Sequence, residues 1–207
     1  MDLDGMSFPD YFAQIPGVTL HDTLAELLGA PPDGLLDYRF EDAVRLAGHA
    51  CPTIAGAWLM ARRGLAALHP ESIPERGALR VEMRANLESG TAGVVGSIFG
   101  LLTGASGAGG FKGLGGRFSR RDLLVFGVEQ PAEIRLTRLD SGATALLDYY
   151  PERVTPAPEV PALLSRLLGG SADDEERRQF RIVWQDRLRR ILLEHGEDPD
   201  LVSVRLA

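Results

Sequence analysis

The sequence predicts an α+β fold: a largely antiparallel sheet with helices packed on one side, followed by a helical C-terminal extension. Three observations carry that expectation. "ALRVEMRANL" (78–87) alternates strictly, with Leu79, Val81, Met83, Ala85 and Leu87 on one face and Arg80, Glu82, Arg84 and Asn86 on the other. That is the pattern of a half-buried strand. "AEIRLTRL" (132–139) and "ATALLDYY" (143–150) flank "DSG" as a β-hairpin. "SADDEERRQFRIVWQDRLRRILLEHG" (171–196) carries Phe180, Val183, Trp184, Leu188, Ile191 and Leu192 at helical spacing.

Taken in order, residues 1–48 read as helical and irregular. "HDTLAELLGA" (21–30) is a short amphipathic helix closed by Gly29, "PPDG" (31–34) a turn, and "FEDAVRLAG" (40–48) a second helix of the same design. Pro52 suits the first position of a helix running to about Leu68, with "HP" closing it. Residues 91–103 read as a glycine-containing helix, and "RRDLLVFGV" (120–128) as a strand. Prolines 151, 156, 158 and 161 mark a change of character before the long helix. There, Ser171 and Asp174 have capping-box-like spacing, and Gly196 supplies the stop. "LVSVRL" (201–206) alternates and suits an edge strand. The expected division is a core domain over 1–152 and an extension over 153–207 that packs on the core or on a second copy.

Composition excludes several classes. At 207 residues, with 44% hydrophobic and 25% charged content, the chain matches an ordinary globular protein. A net charge of −7 argues against nucleic-acid binding, which wants a basic surface. The longest apolar run, 91–105, falls short of the roughly twenty residues a bilayer demands, so no membrane partner is expected. A single cysteine forms no internal disulfide, and the acidic start "MDLDGMSFPD" lacks a signal-peptide pattern. The cytoplasm is the default compartment.

That cysteine stands in "RLAGHACPTIAGAWLM" (45–60), two residues after His49 and directly before Pro52. At or beside a helix N-terminus, unpaired N–H groups and the helix dipole favour negative charge. The thiolate is the form that binds metal or attacks electrophiles. His-x-Cys in an extended turn can aim imidazole nitrogen and thiolate sulfur at one divalent ion, and the same pair could instead act as nucleophile and base.

"GHACP", with Gly56 and a helix following, resembles the metal-binding motif of FmdE, a component of formylmethanofuran dehydrogenase, and of its stand-alone relatives, over roughly residues 40–130. The resemblance implies an α+β fold like the catalytic domain of glyceraldehyde-3-phosphate dehydrogenase, a homodimer, and a bound divalent metal such as zinc held by His49 and Cys51. The chain departs from that family at "TGAS" (103–106): Ala105 stands where a second cysteine is common. His21 is the first candidate for a further ligand, ahead of His69, His195, Glu82 and Glu88.

Eight glycines fall between Gly100 and Gly116, yet neither the P-loop nor the dinucleotide-binding fingerprint is matched. Lys112, Arg117 and Ser106 on this loop are the expected contacts for a small anionic ligand, and the resemblance places the loop beside the ligand turn as a lid. Three functions follow. The first is a metal-binding protein of the FmdE-like type. The second is a metal-independent thiol enzyme using Cys51 and His49. The third is a non-catalytic accessory or ligand-binding component of a larger assembly.

Overall fold

The computed structural model describes residues 8–207, so most of the acidic opening stretch lies outside it. The chain runs β1 (Val18–His21), α1 (Thr23–Leu28), β2 (Leu35–Tyr38), α2 (Phe40–Ala47), α3 (Pro52–Leu68), β3 (Leu79–Met83), α4 (Ala92–Thr103), β4 (Leu124–Val125), β5 (Ile134–Arg138), β6 (Thr144–Tyr149), α5 (Val160–Leu168), α6 (Asp174–Arg189) and β7 (Val202–Leu206). A five-stranded sheet has the order β4-β3-β5-β6-β7, and β1 and β2 form a separate antiparallel pair. The fold is α+β. All pairings in the larger sheet are antiparallel except β3 with β4.

Register explains why one face is dry. Val81 lies opposite Leu136, Met83 opposite Ile134, and Ile134 opposite Leu147, and all of these are buried. The other face sets Glu82 against Arg135, paired at 3.4 Å, and Asp148 accepts from Arg205 at 2.8 Å. Period-two alternation separates the two sets, so a one-residue slip would bury charge.

Helices α3 and α4 cover the dry face. Pro52 opens α3 at the position where its missing N–H costs nothing, and Ile54, Ala57, Trp58, Leu59, Ala61 and Leu65 are buried along it. Glycine lets α3 approach β6 closely: a Cβ at Gly56 would overlap the Tyr149 ring. Phe12, Phe40 and Trp58 continue the core as edge-to-face neighbours, with centroids 5.1 and 5.9 Å apart.

The segment after residue 152 adds to the same core through Leu188, Ile191, Leu192, Leu201 and Val202, and β7 pairs beside β6. The capping pair of helix α6 lies two residues beyond the expected Ser171 and Asp174. Asp173 accepts from the Glu176 N–H while the Glu176 carboxylate accepts from the Asp173 N–H, which closes a capping box. A π-helical turn over Arg190–Glu194 then ends the helix before Gly196.

Several expected bounds shift. The strand at 78–87 stops at Met83, and the one at 120–128 shrinks to two residues between Asp122 and Gly127, both with positive φ. The first 48 residues hold the β1–β2 pair as well as helices, and α5 occupies the proline-rich stretch. No helix among the described residues is long and apolar enough to cross a membrane.

Candidate functional site

Cys51 is the N-cap residue of the 17-residue helix α3, in extended backbone and without a side-chain cap bond of its own. It is half-buried and lines a cleft of about 510 Å³. The opposite walls come from distant parts of the chain: Glu133 just before β5, Tyr149 at the end of β6, and Trp184 and Arg187 one helical turn apart on α6. Trp184 also donates from Nε1 to the carbonyl of Ala50 at 3.0 Å, which ties α6 to the turn that presents the cysteine. Met60 and Val95 supply apolar wall.

One polar atom of the residues around this cleft lacks a partner. The Tyr149 hydroxyl is enclosed and meets no hydrogen-bond partner among the described residues. Burial pushes the Tyr149 phenol well above its ordinary range, against the nearby Arg187 charge. Burial, with the Asp148 charge second, raises the Glu133 carboxyl. Arg187 donates to two main-chain carbonyls, Val154 at 2.8 Å and Pro151 at 3.0 Å. A second cleft of about 300 Å³ adjoins the first and shares Thr91, Val95 and Glu133 with it.

His49 is placed elsewhere. It is exposed, its Nδ1 lies 3.0 Å from the Ala47 carbonyl, and it lines a smaller cavity of about 200 Å³ with Leu46, Val94, Ser97 and Ile98. His21 is held between two carboxylates, with Nδ1 2.6 Å from Glu75 and Nε2 3.1 Å from Glu26. Among the described residues, no group of three or more histidine, cysteine, aspartate and glutamate side chains is arranged to hold a metal ion. Ala105 is buried at the C-terminal end of α4, whereas Thr91 and Val95, at the other end of that helix, line the Cys51 cleft.

The glycine-rich loop borders a different surface. Arg117 lies over the Phe118 ring at 4.7 Å and lines a cleft of about 270 Å³ with Thr23, Glu75, Arg76 and Arg120. Lys112 is exposed, and Ser106 is half-buried with its main chain bonded to Arg120, Leu123 and Leu124. Arg120 and Arg76 are spent on the buried Asp22, at 2.8 and 3.0 Å. No residue of this loop lines the Cys51 cleft.

His21 gives a pH-dependent expectation. The hydrogen bond to Glu75 raises its pKa above the ordinary 6.5, burial opposes this, and the Glu75 and Glu26 charges add to the rise. The histidine therefore stabilises the fold fully below pH 6.5, and that contribution disappears as pH climbs through the raised value. His21→Gln should lower the melting temperature more at pH 5.5 than at pH 9, measured by thermal melts in matched salt.

Neither a protein-family model nor any curated protein matches the sequence. Among solved structures, the chain is similar to a tungsten formylmethanofuran dehydrogenase FmdE-like protein from Syntrophus aciditrophicus, at 16% identity and a TM-score of 0.42. That similarity covers 82% of this chain and 72% of the other, and it is a weak structural relationship.

Signals for the cleft were thin in the sequence. Trp184 and Arg187 are three apart and so share a helix face, but nothing local placed that face beside Cys51.

Proposed function

We propose that this protein binds a small molecule in the cleft at the N-terminus of α3 and presents the Cys51 thiol to it. One observation carries the reading: the lone cysteine lines a cleft of about 510 Å³, a ligand-sized space walled by Met60, Val95 and Trp184. The N-terminal end of a long helix favours negative charge, so an anionic group bound there is supported by the main chain.

A second reading keeps the sulfur and adds an ion, and the GHACP motif favours it. Thiolate and imidazole are a zinc donor pair, and zinc would supply a Lewis acid where it bound. A structural zinc site takes four ligands, and His49 and Cys51 line separate cavities here. The described residues of one chain do not fit a complete site, so no step is routed through a metal. A homodimer is the assembly in which a second copy could bring further donors.

Alkylation of the native protein separates the two readings. Iodoacetamide should modify Cys51 at one group per chain, at a rate that chelator leaves unchanged, and His49→Ala should react like wild type. Failure of Cys51 to react in the folded protein would overturn the cleft reading. Stoichiometric zinc in tag-free protein, protecting Cys51 and lost in His49→Ala, would replace it with the metal reading.

A further inference from the structure

We infer that the cleft takes a small organic carboxylate, seated by Arg187, with its apolar body against Met60, Val95 and Trp184. This deepens the cleft reading above and rests on it. Arg187 is part-buried, and its two hydrogen bonds both go to neutral main-chain carbonyls. Among the described residues it meets no carboxylate at ion-pair distance. Its neighbours in sequence behave differently: Arg189 and Arg190 both pair with Asp186, at 3.1 and 2.9 Å. Burial lowers the Arg187 pKa, as expected where a cation is withdrawn from water without a counter-charge. A part-buried guanidinium without a counter-charge attracts an anion, and its planar fork matches a carboxylate.

The same cleft is electropositive from two further directions. Cys51 and Thr91 are the N-cap residues of α3 and α4, and neither first turn is capped by a side chain. Both residues line the cleft. Two helix N-termini therefore add their partial positive charge to that of Arg187. Glu133 is the opposing acid on the wall, and burial raises its pKa. Met60, Val95 and Trp184 leave the remainder of the space apolar, which favours an organic body over a bare inorganic anion.

Iodoacetate and iodoacetamide serve as the probes, because they are of similar size and one carries a carboxylate where the other carries a neutral amide, with free cysteine as the reference for their intrinsic reactivity. In each, the Cys51 sulfur attacks the methylene carbon, an S–C bond forms, the C–I bond breaks, and iodide leaves with the bonding pair. Seating of the carboxylate on Arg187 should raise the iodoacetate-to-iodoacetamide rate ratio at Cys51 about tenfold over that of free cysteine, the size of one charge-assisted hydrogen bond. Arg187→Gln should return the ratio to the free-cysteine value, and added salt should weaken it. Arg187→Lys, which keeps the charge if removal of the fork unsettles the Val154 and Pro151 carbonyls, should retain part of the preference. A wild-type ratio equal to that of free cysteine would overturn the carboxylate inference while the cleft reading stands. Cys51 inert to both reagents would instead overturn the cleft reading beneath it.

Discussion

Asp22→Ala is expected to destabilise the fold by about 3–5 kcal/mol, the usual cost of leaving buried cations without their partner. Asp22 is 4% exposed and accepts from Arg120 at 2.8 Å and Arg76 at 3.0 Å. Its other oxygen contacts cap α1, through the Leu24 and Ala25 N–H groups at 3.0 and 3.2 Å. Loss of the cap adds about 1 kcal/mol. Urea titration reads the sum. Burial works to raise the Asp22 pKa, but the Arg76 hydrogen bond and the Arg120 charge outweigh it and hold the carboxyl below its ordinary value. Its stabilisation is therefore complete above pH 3.8 and vanishes as pH falls through the lowered value, so wild type and Asp22→Ala should converge in strong acid. A gap that persists there would assign the loss to packing instead of charge.

Trp58→Ala should cost about 3–5 kcal/mol as well, by a different route. Trp58 is fully buried and packs edge-to-face on Phe40. Its removal opens a cavity at the meeting point of α3 and the N-terminal segment. Trp58 Nε1 has no hydrogen-bond partner among the described residues, so the ring contributes through volume and not through its donor. Trp58→Phe should accordingly retain more than half of the stability that Trp58→Ala loses, since it keeps a ring and removes an unsatisfied polar atom. Equal losses in the two variants would mean that the indole N–H matters after all.

Local signals account for the parts of the fold that sequence made visible. Helix α3 begins at Pro52 and ends at Leu68, as the proline and the following "HP" require. The three long antiparallel partners β3, β5 and β6 followed from alternation, because each buries one face. β1 escaped although Val18 and Leu20 point inward around Thr19, since four residues beside a helix start offer too short a period. Helix α5 was hidden by Pro161, which in fact occupies a first-turn position where proline is welcome.

The site was legible only at one point. Helix-terminal position and the preceding glycine drew attention to Cys51, and that residue does line the largest described cleft. The partners could not be read off, because Glu133, Tyr149 and Arg187 reach the cysteine through strand order and the packing of α6. His49 shows the limit of spacing as a guide. Two residues apart in an extended turn ordinarily share a side, yet here the imidazole meets Ala47 and the α4 surface.

The place of β7 bears on how this chain acquires its shape during translation. Residues 202–206 pair with 145–149, so β6 presents an open edge until the final strand has left the ribosome. The nascent protein must carry that outer edge of β6 unpaired, with β5 on its other side, through the synthesis of some fifty intervening residues at about 5–20 residues per second. Asp148, later covered by Arg205, keeps a charge on that edge in the interval, and a charge there discourages another chain from adding itself first.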